Sequence, residues 1–381
     1  MPLAGIALAP LLVSHHAPPS PRASVAAAPE AARRRRSLRR VRCLATAASG
    51  GASGDAGELS RATLLWRAAK LPIYSVALVP LTVSSLQPDT LHIAPAVGSA
   101  AAYNQAGVFF ATRYFGLLAA AVLVITWLNL SNDVYDSDTG ADKDKKESVV
   151  NILGSRTVTR NAANISLLLG LAGLFWAFAE AGDVRFIVLV ISAILCGYVY
   201  QCPPFRLSYR GLGEPLCFAA FGPLATSAFY FSNSSRSISS GAVLLPLSTT
   251  VIASSIIVGL TTTLILFCSH FHQIDGDRAV GKMSPLVKIG TKTGATIVML
   301  GVGTLYTLLV TFGISKYLPS SCIVLAALTL PLGKWVVDYV NKNHDDNTKI
   351  FMAKYYCVRL HALFGMALAS GLVLARKGIL V

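Results

Sequence analysis

Charge is scarce in this chain. Only 13% of its 381 residues are charged, against roughly 25% in an ordinary globular domain. Hydrophobic residues make up 54%, and the mean hydropathy is +0.58. The scarcity excludes a soluble helical protein, whose helices would each show a polar face. Here the apolar residues arrive in blocks of about 20, apolar on every side, the length needed to cross about 30 Å of hydrocarbon as a helix. Cysteine also offers little to build on. The seven cysteines (Cys43, Cys196, Cys202, Cys217, Cys268, Cys322 and Cys357) are odd in number, scattered and without a CxxC pair, so no disulfide framework is implied and they read as small apolar packers.

Acidic residues are missing from the N-terminus. None precedes Glu30, and the next are Asp55 and Glu58, while Arg33, Arg34, Arg35, Arg36, Arg39, Arg40 and Arg42 form a dense basic run. That run holds much of the formal net charge of +15, so the positive balance belongs to a leader rather than to a nucleic-acid-binding surface, and no nucleic-acid partner is expected. An Ala-, Ser- and Arg-rich stretch without acids reads as an organellar transit peptide. The apolar Leu3 to Val13 lacks the charged n-region of a secretory signal, and the Pro and Ser of residues 17–29 suit a plastid leader. The expected division is a disordered transit peptide over 1–58, cleaved between Cys43 and Leu59, and a membrane domain over 59–381.

Apolar runs near 70–88, 112–131, 162–181, 184–201, 213–232, 243–269, 294–313, 318–340 and 358–376 make the chain all-α and polytopic, with about nine spans. The loops after even-numbered spans carry Lys143, Arg156, Arg206, Arg210, Arg278, Lys282, Lys342 and Arg359, among others. The opposite loops offer only Arg113, Arg185, Arg236, Lys316, Arg376 and Lys377. This asymmetry supports the span count and puts the basic side in the cytoplasm or the stroma, together with the mature N-terminus.

Most acids of the membrane domain lie on that same side, in two clusters. Asn132, Asp133 and Asp136 follow the second span, then Asp138, Gly140, Asp142 and Asp144. On a continuing helix Asn132 and Asp136 stand at i, i+4 and Asp133 and Asp136 at i, i+3, so the three share a face. Carboxylates so close repel unless a cation lies between them, and oxygen-only ligands suit Mg²⁺, which takes one or two carboxylates and bridges to phosphates. The second cluster follows the sixth span: His270, His272, Gln273, Asp275, Asp277, Arg278 and Lys282. The two histidines lack a third ligand at zinc spacing and read as hydrogen-bonding groups. Both clusters leave even-numbered spans, so they would face one cavity able to hold a diphosphate between metal ions. A third polar loop after span four carries Tyr198, Tyr200, Arg206, Tyr209 and Arg210, with Arg206 suited to phosphate.

At these segments the chain resembles the UbiA superfamily of intramembrane prenyltransferases, which has nine helices and Asp-rich motifs after helices two and six. Asn132, Asp133 and Asp136 match the first motif, N-D-x-x-D-x-x-x-D, but its last place is Gly140 and the next Asp is Asp142. This variant is similar to the branch that prenylates 1,4-dihydroxy-2-naphthoate. Likeness continues through Ser148 to Asn151, Pro203 to Arg206, Gly211 to Glu214 and Asp277 to Lys282, over roughly residues 65–376. The second motif departs at Gln273, where the family has Asp, and the Tyr-x-x-x-Lys element is only loosely matched by Tyr200 and Arg206.

The resemblance implies a UbiA-type bundle in a chloroplast membrane, transferring a phytyl group from phytyl diphosphate to dihydroxynaphthoate with loss of CO₂. It implies Mg²⁺ on Asn132, Asp133, Asp136, Asp142, Asp275 and Asp277, and diphosphate contacts from Asn132, Arg206, Lys282, Tyr200 and Gln273. Asp133, Asp136, Asp277 and Arg206 would be catalytic, and Phe175, Trp176, Tyr198 and Tyr200 would shield the allyl cation. The saturated prenyl tail would lie in membrane lipid. Homogentisate prenyltransferase and chlorophyll synthase share this fold but differ in acceptor. An ion-coupled transporter would place its charges near mid-span and in inverted repeats, and a soluble terpene synthase is excluded by the apolar spans.

Overall fold

The computed structural model describes residues 97–107, 109–140, 148–234 and 246–378. The leader over 1–58, the candidate span over 70–88 and Asp142 lie outside the described residues. Every regular element among the described residues is helical, as apolar blocks without strand alternation require.

The elements run in order as α1 (Val97–Ala106), α2 (Ala111–Thr139), α3 (Val149–Leu153), α4 (Arg156–Ala181) and α5 (Val184–Gln201). A 3₁₀ turn (Leu207–Arg210) leads to α6 (Gly213–Ala219), a π-helical stretch (Ala220–Thr226) and α7 (Ser227–Ser234). Then come α8 (Thr249–His270), α9 (Ile274–Ala279), α10 (Pro285–Ile314), α11 (Ser320–Ala327), α12 (Leu330–Asn343) and α13 (Ala353–Arg376).

Among the described residues six helices are long and apolar enough to cross a membrane, seven if the pair α11 and α12, bent by 46°, forms one span. The described residues do not confirm the expected count of about nine, and the first of those candidates lies outside them. The candidate over 213–232 is helical but interrupted: Pro223 lies within it and has no N–H to bond a preceding carbonyl, and the backbone widens into the π turn. The helix α1 is another departure. Ten of its residues are described, and Val97 to Ala102 among them are all buried. It packs on α7 and α13 because Gly98 lets it approach: a Cβ there would come within 2.5 Å of the Thr226 carbonyl oxygen. Small residues permit such crossings in membrane bundles.

α8 forms the centre, packed by α6, the π stretch, α10 and α13, while α2 and α4 pair along their lengths. Outer faces carry large exposed apolar side chains, including Leu168 and Phe175 on α4, Val188 and Leu195 on α5, and Leu300 and Ile314 on α10. A soluble protein would expose no such continuous apolar girdle; a lipid-facing one requires it. Cys202, Cys268, Cys322 and Cys357 are buried and none of the described cysteines is disulfide-bonded, in keeping with packing roles.

The contacts sort the loops by parity. The turns after the second, fourth, sixth and eighth candidate spans meet at one end, through Tyr209 with Asp136, Met283 with Tyr209 and Asn347 with Asp275. At the other end Arg113 donates to the carbonyls of Ser232 and Glu180, and the Arg376 guanidinium donates to that of Asn104.

Candidate active site

The first Asp cluster rides on the last two turns of α2, which runs past its apolar portion and stops at Gly140, in the left-handed region at φ 79°. Asn132 Nδ2 donates to Asp136 Oδ2 at 2.8 Å, so the expected i, i+4 pair does share a face. Asp136 is buried, and its Oδ1 accepts from the Tyr209 hydroxyl at 3.1 Å. The Tyr209 hydroxyl is also 2.8 Å from Thr139 Oγ1. Asp133 is 0% exposed and its Oδ2 accepts from the backbone N–H of Val149 at 3.0 Å. It therefore ties the start of α3 back to α2, where a carboxylate favours the helix N-terminal amides. Asp138, further out, pairs with Arg156 at 2.5 Å.

Tyr209 reaches α2 because of the loop that carries it. After the cis Pro203–Pro204 bond, Arg206 adopts φ 41°, and a 3₁₀ turn ends at Gly211 with φ 78°. A Cβ on Gly211 would meet the Met283 carbonyl oxygen at 2.7 Å, so only glycine lets this loop lie on the α9–α10 connection. The Met283 N–H donates to the Tyr209 carbonyl at 2.8 Å. Burial, followed by the adjacent Asp136 charge, pushes the Tyr209 phenol up to about 12, so near neutrality it stays a donor.

The second cluster lies across from it. α8 ends at His270, and after a tight turn over Phe271–Gln273 comes α9, with Asp277 buried. Asp277 Oδ1 is 3.1 Å from Lys282 Nζ, while its Oδ2 is buried with no hydrogen-bond partner. Lys282 Nζ and Arg206 Cζ lie 5.7 and 5.8 Å from the Tyr209 ring centroid, placing both cations around that ring. Arg206 Nε is likewise buried without a partner. Tyr200, at the end of α5, is within electrostatic reach of Asp136, Asp277 and Glu214.

Asn132, Asp136, Tyr200, Arg206, Asp277 and Lys282 are thus gathered around Tyr209. Gln273 is half-buried where α9 begins. Asp275 points elsewhere: it is exposed and accepts from Asn347 Nδ2 at 3.0 Å. Among the described residues no three histidine, cysteine or acidic side chains converge on one point. A Mg²⁺ bound through one or two carboxylates, waters and phosphate oxygens needs no such group, and the orphaned Asp277 Oδ2 is the kind of buried acceptor a cation would satisfy. The residues present fit the ion.

Two expectations need correction. Phe175 is 67% exposed, and the Trp176 ring lies over Gly116 near the start of α2. Gly116 is twenty residues before Asp136, about 30 Å along a helix, so neither ring can shield a cation at the Asp clusters. Tyr198 stacks edge-on with Phe205 at 6.4 Å beside the loop. Conversely, the sequence places Tyr209 in the third polar loop without marking it as a site residue. Its only signal was membership of a loop on the acidic side.

Comparison with known proteins now decides the family. The model of the UbiA prenyltransferase family matches residues 93–355. The chain belongs to the UbiA prenyltransferase family. It is 60% identical over 319 residues to the chloroplastic 2-carboxy-1,4-naphthoquinone phytyltransferase of Arabidopsis thaliana, covering 84% of this chain and 79% of that one. It is 40% identical over 308 residues to the phytyltransferase of the same name from Synechocystis, covering 81% and 92%. Among solved structures, a UbiA homolog from Archaeoglobus fulgidus bound to GPP and Mg²⁺ superposes with a TM-score of 0.53 at 14% identity, over 81% of this chain and 99% of that one. That likeness establishes the shared fold of a UbiA bundle.

Proposed function

We propose that this UbiA family member transfers a phytyl group from phytyl diphosphate to 1,4-dihydroxy-2-naphthoate, with loss of CO₂, in a chloroplast membrane on the way to phylloquinone. The observation that carries the chemistry is the meeting of Asp136 and Asp277 around Tyr209. The acceptor, the phytyl donor and the chloroplast follow from the 60% identity to the Arabidopsis phytyltransferase.

In this reading Asn132, Asp133, Asp136 and Asp142 on one side, and Asp277 on the other, would hold Mg²⁺, while Asp275, turned to Asn347, would lie outside the ligand set. When bound, the metal neutralises the diphosphate and stabilises its departure. Arg206 and Lys282 place fixed positive charge around the leaving group, in a setting already organised before reaction. Tyr200 and Gln273 complete the diphosphate contacts, and the Tyr209 hydroxyl holds the Asp136 carboxylate in register. The apolar bundle excludes water that would capture the allyl cation, and the prenyl tail extends into lipid. The naphthoate ring attacks through its carboxylated carbon.

The test is an assay of membranes offered dihydroxynaphthoate or homogentisate, each with phytyl, geranylgeranyl and solanesyl diphosphates, with product mass as the readout. Prenylated naphthoquinol formed from phytyl diphosphate is the expected product; prenylated homogentisate alone would overturn the acceptor. Asp136→Ala and Asp277→Ala should abolish transfer while the protein stays folded, and near-normal activity in either would remove the metal assignment.

A further inference from the structure

A buried acid–base pair lies beside this site, outside the residues assigned above to metal and diphosphate. Glu214, in the first turn of α6, is 9% exposed, and His270, the last residue of α8, is 4% exposed. The His270 Nδ1–H donates to Glu214 Oε1 at 2.9 Å. Glu214 Oε2 is buried with no hydrogen-bond partner among the described residues. The Tyr200 ring covers the adjacent Gly213, where a Cβ would come within 2.9 Å of Tyr200 Cε2. The Tyr200 phenol in turn reaches Glu214, Asp136 and Asp277 electrostatically. His270 from α8, Tyr200 from α5 and Cys217 from its own helix are among the groups facing Glu214. None is a lysine or arginine that would satisfy Oε2, and a buried polar atom left so is costly unless it has a use.

We propose that Glu214 is the base that takes the acceptor's hydroxyl proton during ring alkylation and then returns it, with His270 as a positioning residue that holds the carboxylate. The inference rests on the reading of the acceptor as a hydroxynaphthoate. The carbon–oxygen bond of the allylic diphosphate breaks and its electron pair leaves with diphosphate. The ring carbon bearing the carboxylate forms the new carbon–carbon bond with ring electrons. The neighbouring C–OH becomes a carbonyl, and its proton passes to Glu214 Oε2. The bond to the carboxylate then breaks, CO₂ leaves, and the electron pair returns through the ring to that carbonyl oxygen, which takes the proton back from Glu214. No oxidant or reductant is needed. In a site built to exclude water the proton needs a resident acceptor that can also give it back, and a carboxylate with one oxygen anchored and one unpartnered supplies that.

The experiment compares wild type, Glu214→Gln, Glu214→Asp and His270→Asn, all in membranes. It measures kcat and KM with dihydroxynaphthoate and geranylgeranyl or phytyl diphosphate across pH 6 to 10, and binding of radiolabelled prenyl diphosphate. Loss of a positioned base lowers rates by about 100-fold or more. Glu214→Gln should lose about that much in kcat, with KM and binding of the prenyl diphosphate unchanged within about twofold. The deficit should shrink at high pH, where the acceptor hydroxyl ionises by itself, and Glu214→Asp should recover part of the rate. His270→Asn, which keeps a donor for the carboxylate, should lose less than Glu214→Gln. A kcat within twofold of wild type in Glu214→Gln, a deficit independent of pH, or an equal loss of prenyl diphosphate binding would overturn the proposal. Wild-type turnover of a different hydroxyarene instead would overturn the acceptor reading alone, and the same variants on that arene would then decide the role of Glu214.

Discussion

Tyr209 joins the two Asp-bearing ends by three separate contacts: its hydroxyl on Asp136, the same hydroxyl with Thr139, and its carbonyl under Met283. Phenylalanine keeps the backbone contact and the ring but leaves Asp136 Oδ1 without its donor, with Asn132 still on Oδ2. A hydrogen bond to a charged group is worth about 1.5–3 kcal/mol, so Tyr209→Phe should lower kcat/KM about tenfold or more without loss of folded protein, measured by initial rates in detergent-solubilised enzyme. The same phenol gives a pH signature. Its folded pKa is raised, to about 12, above an ordinary value near 10, so its contribution is complete below pH 10 and is lost as pH climbs through about 12. The difference in melting temperature between wild type and Tyr209→Phe should accordingly fade over that window. Lys282 makes a different kind of contact. Its loss leaves the buried Asp277 carboxylate uncompensated, which costs about 3–5 kcal/mol. Lys282→Met should lower the melting temperature, and adding Asp277→Asn should restore much of the loss; an additive double variant would show that the pair is not coupled.

At the level of elements, glycine marks where helices meet and where they do not. On Gly222, in the π stretch, a Cβ would lie 2.7 Å from both Gly259 Cα and the Ser255 carbonyl oxygen of α8, a contact between backbones that no side-chain adjustment relieves. Gly222→Leu should therefore leave little folded protein, scored by size-exclusion profile and protease resistance. Gly276, in the middle of α9, has nothing within 4 Å of a built Cβ. Gly276→Ala should be stabilising by about 0.5–1 kcal/mol through helix propensity alone. Neither outcome is legible from the sequence: Gly222 lies in an apolar run and Gly276 between two aspartates, and neither setting shows what stands across from it. What was legible is the type of each element: the runs at 184–201 and 162–181 coincide with the apolar portions of α5 and α4. The breaks at Pro223 and between α11 and α12 were not, because proline is tolerated in membrane helices when neighbours bond the freed backbone groups, and only the neighbours decide whether a helix bends.

For the whole molecule, the parity of the loops is the principal result. Charge asymmetry alone sorts the even-numbered loops to one side, and the contacts of Tyr209 with Asp136, Met283 with Tyr209 and Asn347 with Asp275 join four of them. Cysteines introduced at exposed Asp275 and at Lys316 should label from opposite faces of sealed membranes, with the position at 275 reached from the side of the mature N-terminus. Removal of residues 1–58 should leave transferase activity in membranes intact, and sequencing of the imported protein should place its N-terminus between Cys43 and Leu59.

The all-helical, lipid-embedded class and the positions of the carboxylates were decided by the sequence alone, because block length and i, i+4 spacing are local properties that any helix expresses. The likeness to the naphthoate-prenylating branch, carried by the Gly140–Asp142 offset, agrees with the 60% and 40% identities to the phytyltransferases of Arabidopsis and Synechocystis. The structure alone decided which groups stand together. Tyr209 and Asp136 are 73 residues apart, and Glu214 and His270 are 56 apart. It also turned Phe175 outward, away from the site that its aromatic character suggested. Such placements depend on the angle at which one helix crosses another, a property of pairs of helices that neither segment carries by itself.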